Sequence, residues 1–163
     1  MRSAFLYSRD FDKYDYGDQH PFKVGRAKQI YESCYRYGLF DHAEGGVVEV
    51  AAASLEDARG FHGSAYLASL QAANLGHWQA EMLASGLGTA DNPVFAGVLD
   101  LALLCLGATL KGVELLDGGA VAVAFNPVGG FHHAGPDHAE GFCYLNDICI
   151  AINRLLAIQM SFR

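Results

Sequence analysis

The sequence predicts an α/β protein, a three-layer α/β/α sandwich built on a mainly parallel sheet. Three observations lead there. Segments with helical spacing alternate with short, wholly apolar runs of strand length, as expected for parallel strands covered by helices. Hydrophobic residues make up 52 % of the 163 residues and charged ones 18 %, enough to bury a sizeable core and too apolar for a disordered chain. The stretch richest in Gly, Pro and His follows directly on a strand candidate, where α/β folds place their sites.

Taken in order, residues 4–7 (Ala-Phe-Leu-Tyr) form an apolar run bounded by polar residues, a first strand. Residues 10–25, rich in Asp, Tyr and Gly, read as a loop. Over 26–37, Ala27, Ile30, Tyr31 and Cys34 keep helical spacing, and Gly38 supplies a C-terminal stop. Residues 47–52 form a second short strand. Ser54, with Asp57 three residues on, has the pattern of a capped helical turn. Residues 62–74 form another helix, with Tyr66, Leu67 and Leu70 on one face, and 76–92 read mostly as loop. Residues 95–116 form a long helix that is apolar almost all round and therefore buried on several sides. Residues 121–125 have the look of a parallel strand covered on both faces. Residues 127–141 hold four Gly, two Pro and three His and must be a loop. Residues 145–160 form a last helix. No repeat, low-complexity segment or linker divides the chain, so residues 1–163 read as undivided, the size of one ordinary domain.

Charge and cysteine usage narrow the function. Eleven Lys and Arg stand against eighteen Asp and Glu, a net charge of −7 with no basic cluster. A nucleic acid or an anionic membrane is therefore not an expected partner. Cys34, Cys105, Cys143 and Cys149 lack CxxC spacing, and the N-terminus reaches charge too early for a signal-peptide core. The longest apolar run, 101–110, is about half of what spans a bilayer. The expected location is cytoplasmic.

The chemistry concentrates in residues 125–147, where three of the seven histidines, His132, His133 and His138, fall within seven residues. A lone loop histidine is usually a solvated surface residue. An adjacent pair inside a Gly-rich turn at a strand's carboxyl end points elsewhere. A metal site from His132, His133, His138 and Cys143 is one reading, but only His133 and His138 have permissible H-x₄-H spacing and no second ligand pair follows. His138-Ala139-Glu140 matches the H-x-E of nucleobase deaminases, whose later P-C-x-x-C is missing. Neither G-x-S-x-G nor H-E-x-x-H occurs. Paired acid–base work by two imidazoles remains, since histidine exchanges protons near neutral pH.

The string Gly-Gly-Phe-His-His-Ala, followed by Gly-Phe-Cys-Tyr-Leu-Asn-Asp, resembles the signature of the zinc-dependent histone deacetylase family, whose bacterial members include acetoin-utilisation proteins and acetylpolyamine amidohydrolases. Three further segments resemble that family in order: His20-Pro21 through Arg26, Phe61-His62 through Leu67, and Asp91-Asn92-Pro93. The resemblance runs from about residue 7 to residue 152. It implies an arginase/deacetylase-like fold and hydrolysis of an acetylated amine, acetyl-lysine or an acetylpolyamine, to amine plus acetate.

By position, the resemblance makes His133 the general base toward a zinc-bound water and His132 its electrostatic partner. Gly141 would offer its carbonyl to the substrate amide, and Phe142 would wall a tunnel around the lysine stem. Asp91 would anchor substrate at the rim, and Arg26 would line an inner acetate cavity. Taken alone, Asp91 reads as a surface carboxylate, Arg26 as a helix-start cation and Phe142 as core. Phe131 and Glu140 depart from common family residues without removing a reacting group. The family's zinc ligands, an Asp-x-His and a later Asp, and its carbonyl-polarising Tyr have no counterpart here. The expectation is therefore a truncated, N-terminal portion that binds no zinc and is inactive alone, and that pairs as a homo-oligomer or with a complementing C-terminal half. A non-catalytic assembly module is the alternative. A ureohydrolase of related fold would need Asp-x-His motifs that are missing.

Overall fold

Alternation along the first strand sets the layers. A computed structural model describes residues 2–41 and 45–161. Its strands are β1 (Ser3–Tyr7), β2 (Gly45–Glu49) and β3 (Val123–Phe125). Its helices are α1 (Arg26–Arg36), α2 (Leu55–Ala58), α3 (Ser64–Asn74), α4 (Val98–Asp117) and α5 (Asp147–Ser161). Short 3-10 turns cover Arg9–Lys13 and Ala80–Ser85. The three strands form one parallel sheet in the order β2-β1-β3, with Phe5 opposite both Val47 and Phe125. Successive side chains of a strand face opposite ways. Phe5 and Tyr7 meet α1, where Tyr31 stacks on Tyr7 with centroids 4.5 Å apart. Leu6 turns to α4, whose Gly112 is so close that an added Cβ would lie 3.1 Å from the Leu6 side chain. Helices therefore cover both faces of β1, and the expected parallel α/β/α arrangement is present.

The helix nuclei follow local rules. Ser54 Oγ accepts from the Asp57 amide while the Asp57 carboxylate accepts from the Ser54 amide, the reciprocal cap expected from the sequence. α4 is buried along most of its length, between the sheet, α3 and α5. Residues 51–53 cross it at Gly107, where a Cβ would come within 2.0 Å of the Ala51 carbonyl. That crossing corrects one strand boundary. β2 ends at Glu49, not residue 52, because the chain leaves the sheet and Ala53 donates its amide to the Leu103 carbonyl.

A second correction concerns β3. Expected to be covered on both faces, it is the sheet's edge: Val123 and Phe125 are 49 % and 48 % exposed. Ala124 meets α4 through Gly112, and Phe125 has the Phe5 ring at 5.5 Å, but nothing among the described residues closes the outer side. α5 repeats the pattern. Ile150 and Ala151 are buried, while Ile148, Ile152, Leu156 and Met160 form an exposed stripe at four-residue spacing. No helix among the described residues is long and apolar enough to cross a membrane.

Candidate active site

β3 delivers the chain to Asn126, and from there buried polar side chains shape the backbone. Asn126 accepts from the Val128 amide through Oδ1 and donates to Thr109 Oγ1 and the Cys105 carbonyl. Asp147, the first residue of α5 and 1 % exposed, accepts from the amides of Gly130 (3.1 Å) and Phe131 (2.8 Å) and from the Thr109 hydroxyl. Asn146 caps α5 by accepting from the Cys149 amide. Its Nδ2 donates to the carbonyls of His132 (3.2 Å) and Ala134 (2.9 Å), which flank His133. Two adjacent residues thus hold the histidine loop before and after the paired rings.

Those rings are exposed and lie side by side, centroids 4.2 Å apart and tilted 36°. His132 Nδ1 donates to the Gly130 carbonyl at 2.9 Å, leaving Nε2 for chemistry. Gly141 lies against His133, where an added Cβ would sit 2.9 Å from the ring. Gly141 and Phe142 occupy the corner of a two-residue hairpin closed by reciprocal Glu140–Cys143 hydrogen bonds. Both have positive φ, +52° and +72°, the signs of a type I′ turn. For Phe142 this conformation costs roughly 1–2 kcal/mol. Three consecutive carbonyls beyond the corner are held by side chains from distant segments: Phe142 by Tyr16 Oη (2.8 Å), Cys143 by Asn92 Nδ2 (3.2 Å) and Tyr144 by Tyr66 Oη (2.8 Å). Burial pushes the Tyr16 and Tyr66 hydroxyls far above the ordinary tyrosine range, so they remain donors. Burial likewise raises the Cys143 thiol, which donates to the Gly141 carbonyl.

The sequence-predicted residues divide into two groups. His132, His133, Gly141 and Phe142 come together in this loop. Asp91 is exposed, but its carbonyl accepts from His20 Nε2 at 3.1 Å, and the His20 ring meets Phe142 edge-on at 4.7 Å. His20 Nδ1 accepts from the Phe22 amide, fixing its tautomer. Arg26 stands apart: its exposed guanidinium donates to the Pro21 carbonyl and lines a groove of about 510 Å³ with Asp12, Lys13 and Gln29. Loop residues do not line that groove. His138, a ligand candidate from spacing alone, pairs instead with Asp137 (2.7 Å) and Glu140 (3.7 Å) at the surface.

Sequence reasoning missed His20, His62, Asn92, Asn146, Asp147, Tyr16 and Tyr66 as parts of the site. All but Tyr16 lie in segments that resemble the family, and Asn146 and Asp147 are also a polar pair set between Leu145 and Ile148. The tyrosines act across 126 and 78 residues, which no local pattern reveals.

A parallel α/β/α fold that presents paired histidines at the carboxyl end of a strand defines an α/β protein with a histidine-loop candidate site. The histone deacetylase domain matches residues 20–162, and the chain belongs to that family. It is 36 % identical to the acetoin utilization protein AcuC of Bacillus subtilis over 92 % of this chain and 38 % of that protein. It is 34 % identical to histone deacetylase RPD3 of Saccharomyces cerevisiae over 95 % of this chain and 36 % of that one. A crystal structure of an HDAC homolog from Aquifex aeolicus superposes with a TM-score of 0.86 at 28 % identity, covering 97 % of this chain and 42 % of that one. The chain thus spans about two fifths of the length of these relatives.

Zinc is the metal of this family's chemistry. Among the described residues no group of three or more His, Cys, Asp or Glu side chains could hold an ion. Asp147 is committed to loop amides, and burial keeps the Cys143 thiol protonated. The described residues do not by themselves fit a three-ligand zinc site.

Proposed function

We propose that this chain supplies the histidine-loop part of a deacetylase site that hydrolyses acetylated lysine or an acetylpolyamine to amine and acetate. The observation that carries this reading is the pair of exposed imidazoles, 4.2 Å apart, on a backbone fixed by buried Asn146 and Asp147. Amide hydrolysis needs a base for the attacking water and an acid for the departing amine. His133 performs both: it takes the water proton and returns it to the amine nitrogen. His132, with Nδ1–H committed to Gly130, faces the reaction with Nε2 and stabilises charge beside His133. The Gly141 carbonyl orients the substrate amide N–H, Phe142 packs along the amine's alkyl stem, and Asp91 holds substrate at the rim. Arg26 serves acetate release only if its side chain swings away from Pro21.

The remaining site groups, zinc ligands included, come from the part of the domain that this chain's two-fifths coverage leaves out. The open β3 edge and the exposed stripe of α5 support a partner there: a strand added in parallel to β3, or a second copy of this chain. The same face favours the second reading, a non-catalytic assembly module. Four unpaired cysteines support a reducing, cytoplasmic setting.

Metal content and acetate release, measured for this chain alone and after co-expression with the remaining part of the Bacillus relative, test the proposal. The expected result is no zinc and no turnover alone, with both gained by the complemented pair. One tightly bound zinc with turnover in the lone chain would remove the claim of incompleteness. A folded pair without turnover would favour the assembly module.

A further inference from the structure

His62 is the buried titratable group that the proposed chemistry leaves unused. It is 3 % exposed, sits just before α3, and its Nε2 accepts from the backbone amide of Asn146 at 2.9 Å. An amide can only donate, so this nitrogen carries no proton, and the ring is neutral with its hydrogen on Nδ1. Asn146 then has every polar group engaged: its amide on His62, its Oδ1 on Cys149, and its two Nδ2 hydrogens on the carbonyls either side of His133. The segment around His62 also touches the loop independently, since the Gly63 amide donates to the Pro136 carbonyl at 2.8 Å. The rings of Phe61 and Tyr66 enclose the imidazole at 5.0 and 5.5 Å.

We propose that His62 is a positioning residue that acts through Asn146 to set the orientation of the His132–His133 pair. The role rests on the deacetylase reading for its purpose, but its physical content concerns this chain alone. A neutral acceptor at Nε2 fixes the first amide of the α5 cap. The cap fixes the Asn146 side chain, and that side chain holds both carbonyls around His133. A ring protonated at Nε2 would face the Asn146 amide donor to donor, and the series would break at its first member. Burial agrees with this requirement, lowering the ring's proton affinity to a pKa of about 4; the groups facing it are the His138 imidazole, the Tyr66 phenol and the Gly135 and Pro136 carbonyls.

Long-range ¹H–¹⁵N imidazole spectra of the full chain test this without turnover. Wild-type His62 is expected in the Nδ1–H tautomer, with Nε2 unprotonated at neutral pH. His62→Phe, which keeps an aromatic ring and removes the acceptor, is expected to speed exchange of the Asn146 amide about 10–100-fold. It should also displace the ring signals of His132 and His133. His62→Gln, whose side-chain oxygen can accept in the same place, should restore both. An Nε2–H tautomer in the wild type would overturn the proposal and requires no variant to fold. So would a His62→Phe chain that melts earlier while its His132 and His133 signals stay in place. Failure of complemented turnover with the expected ring shifts would remove the deacetylase reading and leave the positioning role standing.

Discussion

The histidine loop and the β3–α5 face are both polar-to-apolar boundaries, yet they are finished in opposite ways. The loop exposes its two imidazole rings, while its backbone is tied down by hydrogen bonds. Its carbonyls and amides are matched by side chains from the N-terminal loop, the segment before α3, α3 itself and α5, and Thr109 of α4 donates to the Asp147 carboxylate that holds two of those amides. The β3–α5 face is the reverse: regular backbone carrying apolar side chains left largely exposed among the described residues, with Met160 76 % exposed. The difference teaches that the first region is held by the chain's own buried polar side chains, whereas the second leaves apolar side chains exposed among the described residues.

The largest test of that contrast removes the Asp147 carboxylate. Asp147→Ala leaves the Gly130 and Phe131 amides and the Thr109 hydroxyl without a buried acceptor. Urea unfolding should show a loss of about 4 kcal/mol; a loss below about 1 kcal/mol would mean that the loop is held elsewhere.

Next in size is an acid effect at His62. Its folded pKa of about 4 lies below the ordinary 6.5 because burial disfavours the charged ring. As pH falls, the unfolded chain takes up the proton first. The His62 contribution is complete above about 6.5 and is lost progressively down to about 4, a total of about 3 kcal/mol. Comparing unfolding of the wild type and His62→Gln across this window isolates the effect. Parallel curves would contradict it.

A smaller change is expected at the hairpin corner. Gly141→Ala combines a positive φ of +52° with a Cβ 2.9 Å from the His133 ring. It should cost about 1–2 kcal/mol in stability and shift the His133 ring signals. Unchanged ring signals would show that Gly141 does not set the ring's position.

The smallest effect on folding is expected on the open face. Ile152→Lys together with Leu156→Lys touches side chains that are 49 % and 52 % exposed. Unfolding of the isolated chain should change by less than about 0.5 kcal/mol per site, while association measured by light scattering should fall. A strong loss of monomer stability would place these residues in the chain's own core.

How much of this was legible in the sequence follows the range of the forces involved. Ser54 and Asp57 act within one turn, and their reciprocal cap was readable. The apolar circumference of 95–116 announces a buried helix, which the structure places at Val98–Asp117. β3 was misjudged because apolarity reports what a strand is built to meet, and Val123 and Phe125 meet little among the described residues. β2 was misplaced because its end is set by Gly107, fifty-odd residues away, through the backbone crossing at Ala51. In the candidate site, the paired histidines stand out by their clustering and by family resemblance, and the structure brings their rings side by side. His62, Tyr66 and Asn92 lie in segments that resemble the family, but their links to the loop, like that of Tyr16, span sequence separations that no local pattern encodes.

Acetate release from an acetyl-lysine peptide, by the domain completed through co-expression, tests the central claim most directly when wild type and His133→Ala are compared. Loss of the general base is predicted to lower turnover by at least about 100-fold, with assembly and metal content unchanged. Turnover within about threefold of wild type in a correctly assembled His133→Ala domain would show that the paired histidines do not carry the proton transfers assigned to them.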